Sequence, residues 1–431
     1  MISAGRLARR GWLEAPETRA VAAALVADGA EVRFVGGCVR DAVLDRPIRD
    51  IDIATGDPPD RVVRLLEDAG IRAIPTGIDH GTITAIVGDA HFEVTTLRLD
   101  IETDGRRARV EFTDDWQADA ARRDFTINAL YCDPEGRIYD PFGGLADLRD
   151  HRVRFVGDAQ ARIREDVLRL LRFFRFLAHY GHLPADQESL SACRALAGMV
   201  PTLSGERVAG EVLRLLEAPD PGPIVALMQD EGILAHVLPE ATGHARLVAL
   251  VTVEGLSLGT DPLRRLGALL ASDADAVTDV ARRLRLSGAE RARLLRLAAP
   301  PATIEPKTDV RQLRRLLHEL GADAFRDLAL LAWAEALAVS AAPAQSQAQA
   351  WRALLTAAEE WVPLALPVKG RDVLGLGVAP GPEVGRLLAA VEAWWVEGDF
   401  QAGRAEALGK LHDLAAAAPP AGHGKQEGED G

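Results

Sequence analysis

The pattern of apolar and polar positions changes once along the chain, near residue 155. Before that point, short β-branched runs alternate with turns, and several repeat every second residue, which is typical of strands with one buried face. The predicted strands cover residues 32–35, 48–53, 82–87, 91–97, 127–132 and 137–139. Helices are predicted between them at 19–28, 38–44 and 60–68.

After residue 155 an Ala- and Leu-rich helical period dominates to about residue 415. The chain is therefore predicted to be α+β, with a mixed sheet first and helices afterwards. Residues 81–87 and 92–98 are predicted to pair as a hairpin across Gly88-Asp89. The polar stretch 100–115 is expected to be a mobile loop, and residues 416–431 have the composition of a disordered tail.

Composition narrows the class of protein. With 431 residues and 48% hydrophobic residues, the chain is long enough for two to four domains. A net charge of −14 argues against a protein that coats nucleic acid indiscriminately, although it leaves room for a local basic groove. Three widely spaced cysteines without a C-x-x-C pair favour a reducing cytoplasm over a disulfide framework or zinc site. No signal peptide and no membrane-spanning run are expected.

Residues 32–55 hold the first candidate site. A predicted strand breaks at Gly36-Gly37 and continues as a helix, so the backbone can approach a phosphate at a helix N-terminus. Asp50 and Asp52 are two apart on the next predicted strand and should project from one face. Two carboxylates beside such a turn suit Mg²⁺ and a triphosphate. Two solvated aspartates beside an ordinary turn are the alternative, and the glycine turn favours the site.

Residues 121–150 hold the second candidate group. Arg122 and Arg123 offer planar donor groups to phosphate oxygens. Asp124 and Asn128 are four apart, share a face on a helical turn, and suit ribose hydroxyls or a metal shell. A surface ion-pair cluster is the alternative. The DPFGGLADL segment at 140–148 is interpreted as scaffold that fastens a strand to a helix.

The third group is a polar stripe on a helix predicted over 164–176. Its members are spaced by three and neighbours should touch: Asp166, Arg169, Arg172 and Arg175. An aspartate acceptor beside an arginine donor matches the amino group and ring nitrogen of cytosine and adenine, whereas uracil and guanine present the reverse order. Mismatched polar groups would reject those bases. An exposed ion pair is the alternative.

Together these motifs resemble the tRNA nucleotidyltransferases, the CCA-adding enzymes, of the bacterial class II group related to poly(A) polymerases. The resemblance spans roughly residues 30 to 180 in the family's order, and a weaker match continues to residue 388. The motifs that carry it are GGCVRD, DIDIAT, TGIDHGTIT, FEVTTLR, RRDFTINAL, DPFGGLADL and EDVLRLLRFFRF.

The resemblance implies a nucleotidyltransferase palm at 1–150, followed by a helical neck at 151–217, a body at 218–360 and a tail at 361–415. It also implies roles for residues. Asp50 and Asp52 would hold catalytic Mg²⁺, and Gly37 and Arg40 would contact the triphosphate. Arg122 or Arg123 with Asp124 would bind phosphate and ribose. Asp166 and Arg169 would act as a protein template for CTP and then ATP, with Arg172 and Arg175 supporting them.

The implied reaction is attack of a tRNA 3′-hydroxyl on the α-phosphate of CTP or ATP, without a nucleic-acid template. Two other enzymes remain open: a poly(A) polymerase, which shares most palm motifs, and a partial enzyme that adds only CC or only A. A non-enzymatic alternative is an RNA-binding scaffold with an inactive palm. Intact Asp50, Asp52, Asp166 and Arg169 argue against that last alternative. Oligomeric state does not follow from the sequence.

Overall fold

The computed structural model describes residues 3–7, 11–104, 107–256, 259–270, 273–339 and 345–417. The chain divides into two compact units, Met1–Ala299 and Pro300–Gly431. All described strands belong to the first unit, and the elements described in the second are helices. This arrangement confirms the predicted α+β class. The division falls inside the predicted body at 218–360, so the neck, body and tail boundaries stay a prediction.

An eight-stranded mixed sheet forms the first part of the chain, together with a separate two-stranded hairpin. The strands are β1 (Ser3–Arg6), β2 (Val32–Val35), β3 (Ile51–Thr55), β4 (Arg72–Gly77), β5 (Thr82–Val87), β6 (Ala90–Thr96), β7 (Arg98–Asp104), β8 (Arg107–Phe112), β9 (Tyr131–Cys132) and β10 (Arg137–Tyr139). The large sheet has the order β1-β10-β9-β2-β3-β6-β5-β4. β3 and β6 are parallel, and the other neighbours are antiparallel.

The helices before Pro300 surround this sheet and then continue the first unit. They are α1 (Gly11–Glu14), α2 (Pro16–Leu25), α3 (Gly37–Val43), α4 (Pro59–Asp68), α5 (Trp116–Ala121), α6 (Gly144–Arg149), α7 (Ala159–Glu165), α8 (Leu168–Tyr180), α9 (Gln187–Leu196), α10 (Gly205–Leu216), α11 (Gly222–Asp230), α12 (Leu234–Val237), α13 (Ala245–Glu254), α14 (Pro262–Leu269), α15 (Ala274–Arg283) and α16 (Gly288–Ala298).

The second unit contains six described helices, and its core is built from apolar side chains near the C-terminus. The helices are α17 (Val310–Leu320), α18 (Ala322–Val339), α19 (Gln345–Glu359), α20 (Gly370–Leu374), α21 (Pro382–Glu397) and α22 (Arg404–Ala416). Leu387, Val391 and Leu411 are fully buried in that core. The predicted disordered tail at 416–431 lies outside the described residues from 418 onward.

The two faces of the large sheet have different chemistry, because side chains alternate along each strand. Ile53, Val94 and Ile83 are neighbours across β3, β6 and β5, and all three are fully buried. α4 packs on β4, β5 and β6. The opposite face carries Asp52 on β3 and Glu93 on β6. The strand period therefore separates an apolar face under helices from a polar face that holds candidate chemistry.

The hairpin predicted across Gly88-Asp89 is confirmed, because β5 and β6 pair antiparallel from Thr82↔Thr95 to Val87↔Ala90.

The expectation of a mobile loop over 100–115 is wrong for most of its length, because β7 and β8 pair antiparallel there. Val110 and Phe112 are two residues apart in β8 and so follow the strand period within this polar segment. The high charge of the segment obscured that period.

The turn between β10 and α6 is held by its own side chains. Asp140 accepts from the backbone N–H groups of Gly144 and Leu145 at 2.7 and 2.9 Å, which caps the start of α6. A Cβ placed on Gly144 would lie 2.3 Å from the backbone oxygen of Thr126. Thr126 begins the 3-10 turn Thr126–Asn128, so this contact fixes a segment that carries a candidate site residue.

We expect Gly144→Ala to lower the free energy of unfolding of the first unit by about 2 kcal/mol, since the backbone must shift to relieve the overlap. Gly210 lies within α10, and no atom beyond its chain neighbours and its own helix backbone lies within 4 Å of the position that a Cβ would take there. Gly210→Ala is the matched control and should raise stability by about 0.5–1 kcal/mol. Denaturant unfolding followed by circular dichroism checks both variants. Equal effects of the two substitutions would contradict the packing argument.

Candidate active site

Carboxylates gather on the polar face of the sheet. Asp52 in β3 pairs across the parallel ladder with Glu93 in β6, and Glu93 is exposed. Asp50 is also exposed. The predicted strand at 48–53 is displaced, because β3 begins at Ile51. Asp50 therefore lies in the segment that leads into the strand, one residue before it.

The electrostatics of Asp52 reflect this crowding. Burial raises the pKa of its carboxyl to about 6, and the negative charges of Glu93 and Asp50 act in the same direction. The Arg123 guanidinium acts in the opposite direction but does not compensate. The three carboxylates thus form a region of excess negative charge that a cation would stabilise.

The donor set at this position fits a divalent cation of the magnesium type. Mg²⁺ prefers oxygen ligands and commonly takes one or two carboxylates together with substrate phosphates. Asp50 and Asp52 provide such oxygens. Within the described residues, no group of three or more His, Cys, Asp or Glu side chains is arranged to hold a metal ion. Phosphate oxygens of a bound nucleotide would have to complete the coordination.

The glycine turn lies directly beside the arginine segment. Gly36 precedes α3 with a φ of 73°, a backbone conformation that favours glycine. A Cβ on Gly36 would lie 3.5 Å from Nη1 of Arg123 and 3.7 Å from the backbone oxygen of Asn128. Gly37 begins α3, and a Cβ there would lie 3.7 Å from Nη2 of Arg40. The structure thus brings together the glycine turn and Arg123, which the sequence placed in separate groups.

Arg122 and Arg123 share one buried carboxylate, Asp119, which is 1% exposed. Arg122 donates to Oδ1 from Nε at 2.9 Å, and Arg123 donates to Oδ2 from Nη2 at 3.1 Å. The Tyr131 hydroxyl donates to Oδ2 at 2.6 Å. Burial opposes ionisation of Asp119, but Arg123 and Arg122 outweigh it and lower its pKa to about 2. The half-buried arginines are oriented by a buried carboxylate and do not form the surface ion-pair cluster that was the alternative.

Asp124 and Asn128 face the protein interior, and both are 8% exposed. The Asn128 amide donates to Asp124 Oδ1 at 3.0 Å, and Arg172 donates from Nε to Asp124 Oδ2 at 2.8 Å. The Asn128 side-chain oxygen accepts from Nη1 of Arg40 at 2.7 Å. The two residues do meet at their spacing of four, within a loop and a 3-10 turn. Their polar groups, and those of Arg40, are engaged within the protein.

Asp166 lies between two helices, so the single helix predicted over 164–176 is wrong at its start. α7 ends at Glu165 and α8 begins at Leu168. Asp166 has extended backbone angles, and its Oδ1 accepts from the Leu168 N–H at 3.1 Å. This aspartate therefore caps the start of α8. A short polar side chain that satisfies backbone donors competes with helix continuation, which explains the break.

Asp166 and Arg169 are held by different partners and not by each other. Arg207 of α10 donates to Asp166 Oδ2 at 2.7 Å. Arg169 donates from Nη1 to Glu165 at 2.7 Å and from Nη2 to the backbone oxygen of Arg122 at 3.1 Å. The expected ion pair between neighbours spaced by three is therefore absent from these described contacts. Arg169 is thereby fixed beside the Arg122–Asp124 segment, and Asp166 is fixed against α10.

Arg172 and Arg175 are tied to a second buried carboxylate. Glu211 of α10 is 3% exposed, and its oxygens lie 2.7 Å from Nε of Arg175 and 3.9 Å from Nη1 of Arg172. Arg172 thus joins Asp124 of the palm to Glu211 of the helical part. The predicted stripe is real on α8 for Arg169, Arg172 and Arg175, and it faces protein carboxylates and not solvent.

Sequence reasoning missed four residues that organise the site: Glu93, Asp119, Arg207 and Glu211. Asp119 carried a usable signal, because it precedes Arg122 and Arg123 by three and four residues, the spacing of helical neighbours. Glu93 lies on a strand that was predicted, between apolar positions of the opposite face. Arg207 and Glu211 reach residues about 40 positions away, and local spacing holds no signal for such pairs.

Two family models match the first unit. The Poly A polymerase head domain matches residues 32–154, and the model described as the probable RNA and SrmB-binding site of polymerase A matches residues 185–243. The first match contains the carboxylates, the glycine turn and the Arg122–Asp124 segment. Asp166 and the arginines of α8 fall between the two matched regions.

Relatives extend the similarity over most of the chain. The mouse protein named CCA tRNA nucleotidyltransferase 1, mitochondrial, is 34% identical over 383 residues, which cover 88% of this chain and 86% of that protein. The CCA-adding enzyme of Streptococcus sanguinis is 42% identical over 195 residues, 45% of this chain and 48% of that enzyme. The crystal structure of the Bacillus stearothermophilus CCA-adding enzyme in complex with CTP has a TM-score of 0.73 and 26% identity, and it covers 92% of this chain and 96% of that one. The chain belongs to the family of CCA-adding tRNA nucleotidyltransferases.

Proposed function

We propose that this protein adds CCA to the 3′ end of tRNA, using CTP and ATP as substrates. The observation that carries the proposal is the pair of carboxylates Asp52 and Glu93 on one face of the sheet, with Asp50 just before the strand, beside a glycine turn and Arg123. It occurs in a chain that is related over 88% of its length to a CCA tRNA nucleotidyltransferase. None of the helices in the described part of the chain has the length and apolar character needed to span a bilayer.

Asp50 and Asp52 would hold the divalent metal, and we propose that it is magnesium. Bound there, such a metal activates the attacking hydroxyl and neutralises charge on the phosphate and leaving oxygens. Glu93 adds negative charge beside Asp52 and so favours occupancy by a cation. The remaining catalytic power would come from position and electrostatics, which dominate phosphoryl transfer.

Arg123 is suited to receive phosphate oxygens. Its guanidinium lies beside the Gly36 turn, and Asp119 and Tyr131 fix its orientation. Because the guanidinium is already held in one orientation, Arg123 would lose little conformational entropy when a triphosphate binds. Arg122 would support the same function from the other oxygen of Asp119.

Asp166 and Arg169 are proposed to read the base of the incoming nucleotide. One Asp166 oxygen is held by Arg207 and the other by a backbone N–H. A carboxylate oxygen has two lone-pair positions, so an amino group of cytosine or adenine can still be accepted. Arg169 is fixed by Glu165 and presents donors to a ring nitrogen. Arg172 and Arg175 would support the pair from the next turns of α8.

Three finer assignments are also proposed. The sequence motifs favour the bacterial class II group. The three cysteines, which are free and buried, favour a cytoplasmic location. The helical part is divided into a neck at 151–217, a body at 218–360 and a tail at 361–415. A poly(A) polymerase remains the second candidate, because the matched head-domain model bears that description.

Substitution of the carboxylates tests the metal site. We expect Asp50→Asn and Asp52→Asn to reduce nucleotide incorporation at least about hundredfold, as losses of charge stabilisation at reacting groups do. Glu93→Gln should reduce it about tenfold, because Glu93 supports the ligands from the neighbouring strand. The control is Asp89→Asn in the exposed β5–β6 turn, with no change expected. A folded Asp52→Asn variant that binds tRNA and retains full incorporation would refute the metal assignment.

Removal of divalent cations tests the cofactor. Incorporation should stop in excess EDTA and return when magnesium is added in excess of the chelator, since carboxylate and phosphate oxygens suit that ion. Parallel recovery with manganese, calcium and zinc would show whether magnesium is preferred. Undiminished incorporation in EDTA by a chelator-treated protein would contradict a dissociable metal at Asp50 and Asp52.

The products distinguish the candidate enzymes. Purified protein is given tRNA that ends before CCA, tRNA that ends in CC, or an unstructured RNA, each with single nucleotides and with CTP plus ATP. We expect two C and one A on the truncated tRNA, followed by a stop. Long A tracts on any RNA would identify a poly(A) polymerase, and CC alone or A alone would identify a partial enzyme. A lack of incorporation on every RNA would favour the scaffold with an inactive palm.

A further inference from the structure

A closed circuit of polar contacts joins the palm to both ends of α8. Near the start of the helix, Arg172 donates to Asp124 at 2.8 Å. Asp124 accepts from Asn128 at 3.0 Å, and Asn128 accepts from Arg40 at 2.7 Å. Arg40 then donates from Nη2 to the hydroxyl of Tyr180 at 2.6 Å, at the last residue of α8. The helix backbone between Arg172 and Tyr180 closes the circuit.

Arg40 is committed to this circuit. Its Nε and Nη2 donate to the two oxygens of Asp41 at 2.9 Å each, its Nη1 donates to Asn128, and its Nη2 also donates to Tyr180. The residue is 7% exposed. Four of the five guanidinium N–H groups are thereby engaged. Arg40 is better placed to hold elements together than to bind a triphosphate, which departs from the role that the sequence resemblance implied.

Tyr180 receives two guanidinium groups. The Arg40 Cζ lies 4.1 Å from the centre of its ring, and the Arg46 Cζ lies 4.6 Å from it. Arg46 also donates to the backbone oxygen of His179 at 2.9 Å. Cation–π contacts add to the hydrogen bond at partly buried sites such as this one. The end of α8 is therefore held to α3 and to the segment that follows it by one aromatic side chain.

The two attachment points are far enough apart to fix the direction of α8. Arg172 and Tyr180 are eight residues apart in the helix, about 12 Å at 1.5 Å per residue. The buried apolar residues of α8 already pack the helix in place, and the two polar attachments add directional contacts at separate points along it. Two attachments at this separation also fix Arg169, which lies on the same helix and is proposed to read the base.

We propose that Tyr180 is a positioning residue for nucleotide selection, acting through Arg40 to hold α8 in register with the palm. The inference rests on the proposed function of the same site. Tyr180 touches neither the carboxylates nor the base-reading pair in the contacts described, so its effect on selection is indirect. Its loss should increase the mobility of the C-terminal end of α8 and leave the position of Arg169 less well defined.

Two substitutions separate its contributions. Tyr180→Phe keeps the ring against both guanidinium groups and removes the hydroxyl, which accepts from Arg40 and hydrogen-bonds with Asp41, whereas Tyr180→Leu removes both the ring and the hydroxyl. We expect the preference for CTP over UTP in the first addition to fall about tenfold in Tyr180→Leu, the size of effect of one hydrogen bond to a charged group. Tyr180→Phe should lie between this variant and the unmodified protein. The KM for tRNA should stay unchanged.

The chain supplies a matched control in Tyr139. Its ring centre lies 3.7 Å from the Arg33 Cζ, and its hydroxyl donates to Asp133 at 3.2 Å. Tyr139 belongs to β10, the second strand from one edge of the large sheet. Tyr139→Phe therefore removes a similar hydroxyl from a similar aromatic–arginine contact. It should leave the CTP preference unchanged. Equal loss of thermal stability in Tyr139→Phe and Tyr180→Phe, with full CTP preference in both, would overturn the positioning role.

Amide hydrogen exchange provides a readout that does not need activity. Exchange in the last turns of α8 should quicken in Tyr180→Phe, while α4 stays unchanged. Absence of nucleotide incorporation by the unmodified protein would refute the proposed function. Amide hydrogen exchange would then still test whether Tyr180 attaches the end of α8 to α3. Unchanged exchange in α8 would refute the attachment. If Tyr180→Leu fails to fold, Tyr180→Phe still decides both measurements.

Discussion

The arrangement of this site depends on keeping arginines away from the acidic face of the sheet. A guanidinium free to swing onto Asp50 or Asp52 would form a bidentate ion pair there and displace a metal. The structure prevents this by giving the neighbouring arginines carboxylates of their own. Asp119 holds Arg122 and Arg123, and Asp124 holds Arg172. Burial and the neighbouring carboxylates therefore raise the pKa of Asp52, and Arg123, whose guanidinium is bound to Asp119, lowers it too little to compensate.

These buried ion pairs contribute more to the orientation of the arginine side chains than to the stability of the fold. Taking two charges out of water costs free energy that their attraction returns only in part, so a well-packed apolar pair would often be as stable. Asp119, Asp124 and Glu211 nevertheless lie buried among arginines. Asp119 and Asp124 accept directional hydrogen bonds from their arginines, which fix a guanidinium far more narrowly than apolar packing would. The overall charge of −14 is therefore compatible with a site that binds anionic substrates, because the relevant arginines are gathered and oriented locally.

The sequence predicted those parts of the fold that follow from local period. Alternation in residues 82–96 predicted the β5–β6 hairpin with its turn, and the helical period after residue 155 predicted the helical remainder. It failed where a side chain competed with the period, as at Asp166, whose capping bond ends one helix and starts the next. It also failed where charge hid the period, as in β7 and β8. Partners such as Arg207 and Glu211 lie in a distant helix, and only the folded chain brings them to Asp166 and Arg175.

The separate anchoring of Asp166 and Arg169 bears on the base-reading role that we propose for them. If the two side chains were paired directly, each would satisfy the other, and a base would have to break that ion pair in order to bind. Here Arg207 fixes the carboxylate from α10, and Glu165 fixes the guanidinium from the end of α7. Their separation is set by the packing of three helices, so the pair can present an acceptor and a donor at a defined distance before any nucleotide arrives. In the proposed base-reading role, a wrong base would then meet polar groups that are already held by other partners, and mismatched buried polar groups are what make discrimination strong.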